Sequence, residues 1–239
     1  MALLFGTPGY VMLLCCALVY LSLIAYGSFN VKANFFMDLY NQGSGATKLL
    51  ALTFDDGPSE TTLLVLDILK KHGVKATFFV IGNRVEAYPE LVKRMVDEGH
   101  VIGNHTFNHT KFTSFYSPQK LEQEFTNTIS VVFRTVGLNM KLFRPPFGVT
   151  FPVMAKVVQR LNLSVIGWSL RSFDTTIKPA QRILKYLLNT VKPGDVILLH
   201  DDRTKVPQIL EELIPQLMLQ NYAFVTVDRM FEIEAYAHE

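Results

Sequence analysis

From residue 49 onward, short apolar runs alternate with stretches of helical spacing, and this alternation most limits the folds open to the chain. Residues 49–54 read as a buried strand, 62–72 as a helix, 76–81 as a strand and 89–98 as a helix, with a short strand at Val101. Ser117 and Pro118 supply an N-cap and a first-turn proline. Leu121, Phe125, Ile129, Val132 and Val136 then keep helical spacing until Gly137. Strands follow at 142–143, 163–168, 196–199 and 224–227, with helices over 152–161 and 179–189. Between Val206 and Gln220 the pattern predicts two helical pieces separated by Pro215. Strand and helix in turn predict a parallel sheet.

A doubly wound open sheet and a closed barrel both satisfy this order. The polar clusters favour the barrel. Asp55-Asp56, His105, Arg144, Asp174 and His200 each come at or just after the end of a different expected strand. In a barrel the carboxyl ends of all strands meet on one face, where active sites form.

Each cluster has a plain reading beside a chemical one. Asp55-Asp56-Gly57-Pro58 could be only a turn. His105 and His109 are four apart, a spacing that puts both on one side of a helical turn, although two loop histidines would look the same. One carboxylate with two imidazoles can hold zinc and leave a position for water; a second carboxylate beside the first is then free to act as a base. Arg144 precedes Pro145-Pro146, which would stiffen the backbone and turn the guanidinium inward at a carboxylate, or leave it on an exposed loop. Asp174 could be a capping residue. His200 is a candidate acid, while Asp201 and Asp202 read as solvated loop residues or caps. His72, His100 and His238 look ordinary.

Residues 1–30 carry no charged side chain, and 10–26 are almost entirely apolar. With its flanks this stretch is long enough to cross a bilayer. An uncleaved anchor is the first reading; a cleaved signal peptide is the second, because Ala25-Tyr26-Gly27 loosely resembles a cleavage site. Residues 31–48, with Gln42-Gly43-Ser44-Gly45, read as a linker, and 49–235 as the catalytic domain. The two cysteines, Cys15 and Cys16, lie in the apolar segment, so the domain has no internal disulfide or thiolate ligand. A formal charge of +2 without a basic run argues against nucleic acid as a partner.

Together these stretches resemble the polysaccharide deacetylase family, also called the NodB-homology domain or carbohydrate esterase family 4, from about Leu49 to Val227. The resemblance implies an α/β fold, a distorted (β/α) barrel of about seven strands. It implies a hydrolase acting on linear amide carbon–nitrogen bonds, with Asp55 as general base and Asp56, His105 and His109 binding a divalent metal, zinc first and cobalt possible. Arg144 would orient Asp55. His200 would be the acid with Asp174 as its partner. Phe147 would lend a backbone N–H to the oxyanion, and Leu198 and Trp168 would line the acetyl pocket. The expected substrate is an N-acetylated amino sugar in a cell-envelope glycan such as peptidoglycan or a chitin-like oligosaccharide. An O-acetyl xylan esterase and a membrane-tethered saccharide-binding protein are the alternatives. The domain is expected as a monomer on the periplasmic or extracellular side, secreted if the N-terminus is cleaved. Arg171 and Thr175 depart from the family pattern, which often has aspartate and tryptophan there.

Overall fold

The structure, a computed structural model, describes residues 7–237; His238 and the first six residues of the apolar segment lie outside them. It opens with helix α1 (Thr7–Phe29), whose stretch Gly9–Phe29 is long and apolar enough to cross a membrane. The strands are β1 (Leu39–Tyr40), β2 (Leu49–Asp55), β3 (Thr77–Val80), β4 (Val101–Asn104) and β5 (Leu142–Phe143), then β6 (Ser164–Ile166), β7 (Leu170–Arg171), β8 (Val196–His200) and β9 (Ala223–Phe224). Between them run α2 (Glu60–Lys71), α3 (Gly82–Ala87), α4 (Pro89–Asp97), α5 (Pro118–Val136), α6 (Pro152–Arg160), α7 (Ala180–Thr190) and α8 (Val206–Leu219), and α9 (Val227–Phe231) closes the chain.

Every ladder between these strands is parallel, in the order β1-β6-β5-β4-β3-β2-β8-β7, with β9 against the start of β2. The sheet curls into a half-barrel: among the described residues no ladder joins β7 back to β1. The strand period of two sorts β2 onto two faces. Leu50, Leu52 and Phe54 pack with Leu66, Leu69, Leu210 and Leu213 of the helices outside. Ala51 clusters on the concave side with Phe79 and Val196, and Thr53 and Asp55 follow it at the same period. Asp55 is therefore delivered to the concave face at the carboxyl end of its strand. Helix α9 seals the opposite end, where the Val227 N–H donates to Thr77 Oγ1 at 3.1 Å.

Four expectations change. Residues 31–48 are not a free linker: β1 pairs with β6, Val31 and Leu39 are buried, and Gln42 bridges to Asp195. Two paired residues give too short a pattern to read from sequence. Helix α8 runs through Pro215 unbroken, because Leu210, Leu213, Ile214 and Leu217 all bury on one side and hold the helix across the missing N–H. The last strand stops at Phe224, and Val227 opens α9 instead. Strand β7, two residues long, was not anticipated; it carries the chain from Trp168 toward Asp174. The bounds of α5 follow its local signals: Ser117 Oγ accepts from the Lys120 N–H, and Gly137 closes the helix at φ 71°.

Candidate active site

All ten residues singled out from the sequence lie at the carboxyl end of the curled sheet or just behind it. Asp55 and His200 are cross-strand partners in the β2–β8 register, which sets them side by side at one level. A groove of about 240 Å³ is lined by Asp55, Asp56, His105, His109, His200 and Trp168, with Phe147, Leu198, Arg171, Thr175 and Arg203 around them.

Asp56, His105 and His109 each offer one atom to a common point, all within 4.8 Å of one another. Asp56 Oδ1 lies 3.6 Å from His105 Nε2 and 3.3 Å from His109 Nε2. That oxygen is buried and has no hydrogen-bond partner among the described residues, a costly state for a carboxylate unless a cation sits on it. The donor set fits a divalent ion. His105 Nδ1–H donates to the Arg144 carbonyl at 2.8 Å, which leaves Nε2 with its lone pair facing Asp56. Burial pushes the His109 imidazole down to about 4, helped by the neighbouring His105, so at neutral pH it is an uncharged donor. Burial alone would raise Asp56; the facing His105, His109, His200 and Arg84 outweigh it and hold the carboxyl below its ordinary 3.8.

The two histidines do not share a helical turn. They sit in a loop after β4, with Thr106 and His109 both at positive φ, 69° and 49°. Buried Glu124 of α5 holds that loop. Its Oε2 accepts the N–H groups of Phe107 and Asn108 at 3.1 and 2.8 Å, and Oε1 accepts from Asn108 Nδ2 at 2.7 Å. Asn104 Oδ1 accepts the Thr106 N–H, and Thr106 Oγ1 accepts that of His109. Four backbone N–H groups of the loop, those of Thr106, Phe107, Asn108 and His109, thus bond side chains. Sequence reasoning missed Glu124. The available signal was a carboxylate three residues after Leu121 on the buried stripe of α5.

Behind the groove, Arg144 is wholly enclosed. Its Nη1 donates to Asp55 Oδ1 and to Thr53 Oγ1, both at 2.8 Å, while Nε and Nη2 donate to the carbonyls of Ile166 and Gly167. The guanidinium lies 4.1 Å from the Phe79 ring centre and 5.8 Å from that of Trp168. Gly103, level with Phe79 in the β3–β4 register, makes this possible: a Cβ there would meet the Phe79 ring at 2.5 Å. Burial lowers the guanidinium's pKa from its ordinary 12.5, and Asp55 opposes that.

On the other wall, His200 Nδ1–H donates to Asp174 Oδ1 and the His200 backbone N–H to Oδ2, both at 2.8 Å. Burial opposes a charge on His200, but the hydrogen bond and charge of Asp174, with Asp55 and Asp56 beyond, push its pKa up to about 9. Phe147 sits on the rim with φ 58° and its ring 4.6 Å from that of His109. Asp201 is not solvated. It is fully buried over Gly57, accepts from Thr62 Oγ1 at 2.5 Å, and burial pushes its carboxyl up to about 7. Asp202 pairs with Arg203 at 3.0 Å and with Arg84 at 3.4 Å; Arg84 also donates to the Asp56 carbonyl.

A profile of the polysaccharide deacetylase family matches residues 42–166. The chain belongs to that family. It is 38% identical over 185 residues to the peptidoglycan-N-acetylglucosamine deacetylase PgdA of Listeria monocytogenes, covering 77% of this chain and 39% of that protein. It is 36% identical over 203 residues to the peptidoglycan-N-acetylmuramic acid deacetylase PdaA of Bacillus subtilis, covering 82% and 77% of the two. The chain therefore spans about two fifths of the Listeria relative and about three quarters of the Bacillus one. Among solved structures, the Bc1960 peptidoglycan N-acetylglucosamine deacetylase superposes with a TM-score of 0.78 at 34% identity, over 82% of this chain and 94% of that one. The expected fold class is thereby met as a curled parallel half-barrel.

Proposed function

We propose that this polysaccharide deacetylase is a metal-dependent hydrolase that removes acetyl groups from N-acetylated amino sugars of a cell-envelope glycan, peptidoglycan first. The supporting observation is that three ligand atoms, a carboxylate backed by Arg144 and an imidazole backed by Asp174 line one groove. The similarity to two peptidoglycan deacetylases supports the choice of polymer.

Amide hydrolysis is slow in water because the nucleophile is weak and the amine leaves poorly. Asp56, His105 and His109 would hold the ion, zinc by preference for this donor set. When bound, such an ion polarises the carbonyl and lowers the pKa of its water toward about 7. Asp55 takes the proton of the attacking water, and the hydrogen bond from Arg144 fixes that carboxylate in direction. The Phe147 N–H receives the carbonyl oxygen as it gains charge; losing one such donor costs roughly 3–4 kcal/mol of barrier lowering. His200, protonated up to about 9, gives its proton to the departing nitrogen. Leu198 and Trp168 form the apolar wall for the acetyl methyl group, with Arg171 and Thr175 at the groove edge.

Helix α1 is read as the anchor that keeps the domain at the outer face of the membrane. Gly27, at the candidate cleavage site, is buried against Phe35, and its carbonyl accepts from Thr150 Oγ1 at 3.2 Å, which supports retention over removal. The test is acetate release by the full chain from peptidoglycan, N-acetyl chitooligosaccharide and acetylated xylan, before and after chelation and zinc addition. Zinc-dependent acetate release from the first two is expected. A zinc-loaded protein that releases none from any glycan overturns the reading.

A further inference from the structure

The larger cavity is not the one that holds the chemistry. A cavity of about 450 Å³ lies on the far side of Phe147, lined by Phe29, Phe115, Phe147, Val149, Phe151 and Met154, and by Lys111. Phe147 is its common wall with the catalytic groove. Phe29 is the last residue of α1. Large apolar side chains at the mouth and in the segment beside it stand uncovered by the described residues: Phe29 is 74% exposed, Phe115 84% and Phe112, next to Lys111, 69%. Such a contiguous exposed patch marks a contact surface.

The place where α1 leaves the domain says what covers it. Most of the helix projects from the domain, but its end is docked. The Thr150 N–H donates to the Ser28 carbonyl at 3.0 Å and Thr150 Oγ1 to that of Gly27 at 3.2 Å, while the Gly27 backbone packs on the Phe35 ring. The helix is thus held against the cavity wall and does not hang on a loose tether. Gly9–Phe29 is 21 residues, about 30 Å of helix, the depth of a bilayer's hydrocarbon. A bilayer spanned by α1 would end level with Phe29. The aromatic rim then falls at the headgroup boundary, where aromatic rings and lysine side chains such as Lys111 are favoured.

We infer that the rim formed by Phe29, Phe112 and Phe115 seats in the lipid surface, that an acyl chain enters the cavity behind Phe147, and that the catalytic groove opens along the membrane face. This rests on the reading of α1 as an uncleaved anchor. The glycan would then be met where it lies against the membrane and not out in the envelope.

The test uses the full chain in phosphatidylglycerol vesicles carrying spin-labelled acyl chains. In a Cys15→Ser/Cys16→Ser background, Ser114→Cys gives a label between the rim aromatics, and Lys70→Cys at the exposed end of α2 gives a control label on the side of the fold that carries α4 and α8; Phe115→Cys is a second rim site. Fluorescence should be lost at both rim sites and kept at Lys70→Cys, and adding Phe112→Ser and Phe115→Ser to the Ser114→Cys chain should restore it. Labels on the native Cys15 and Cys16 separate the two readings. Quenching there without quenching at the rim overturns the inference and leaves the anchor standing. No quenching at either overturns both. A rim label shielded from water yet not quenched by lipid would mean that a protein surface covers the patch, which also overturns the inference.

Discussion

The two walls of the groove hold the same pair in reverse. On one, the carboxylate of Asp55 reaches the groove and the cation Arg144 is enclosed behind it. On the other, the imidazole of His200 reaches the groove and the carboxylate of Asp174 is enclosed behind it. Both contacts are 2.8 Å. Each groove-facing group thus has an opposite charge hydrogen-bonded behind it, and the carboxylate behind His200 keeps that imidazole protonated. One groove can therefore take a proton on one side and give one on the other at the same pH. The walls also differ in strength. Arg144 has five donor contacts' worth of reach and uses it on two carbonyls, a hydroxyl and Asp55, whereas Asp174 is held to His200 from one strand end only.

The largest expected effect comes from breaking the basic wall at its groove-facing member. Asp55→Asn should lower kcat by about 10²–10⁴-fold while zinc content stays at one ion per chain, as read by turnover and metal analysis together. Near-native turnover would remove Asp55 from the role of base. Taking away the hidden member instead should appear first in stability: Arg144→Met leaves a buried carboxylate unpaired, and thermal or urea unfolding should show a loss of about 3–5 kcal/mol. Smaller again is the effect at the loop that carries His105 and His109. Glu124→Gln keeps the size of the side chain but weakens its hold on the loop N–H groups, and zinc affinity should fall roughly 10–100-fold in competition with a chelator.

The acidic wall should give the smallest effect, and one that depends on pH. Asp174→Asn lets His200 fall back toward its ordinary 6.5, so kcat at about pH 7.5 should drop about tenfold and at about pH 5.5 hardly at all. Stability has a definite sign as well. His200 binds its proton more tightly folded than unfolded, so the pair's contribution is complete below about 6.5 and is lost as pH rises through about 9. The gap in Tm between the parent and Asp174→Asn should therefore narrow over that window; a gap that widens with pH would put the charge elsewhere.

Much of the fold could be read along the chain because its signals are local. Ser117-Pro118 and Gly137 bound α5, and the apolar run of β2 stops where Asp55 begins the polar cluster at the strand end. Pro215 misled because a local rule was overridden by packing: four buried side chains keep α8 intact around it. Residues 39–40 misled for the opposite reason, since two residues become a strand only when β6 is beside them. Within the site, residues at strand ends could be picked out from sequence because strand ends are visible there. Their supports could not. Thr53, Phe79 and Glu124 look like ordinary core or helix positions until the curl of the sheet brings them under Arg144 or against the His105–His109 loop.

The sequence by itself determined the order of the longer strands and helices, the membrane-length segment, and which polar side chains stand at strand ends, because hydrophobic period and capping are properties of neighbours. Only the tertiary structure decided that Asp55 faces His200 across β2 and β8, that each has its counter-charge buried behind it, and that α1 ends against an apolar cavity next to the groove. Those relations depend on register, curvature and burial, which join residues tens to more than a hundred positions apart and leave no periodic trace in the chain.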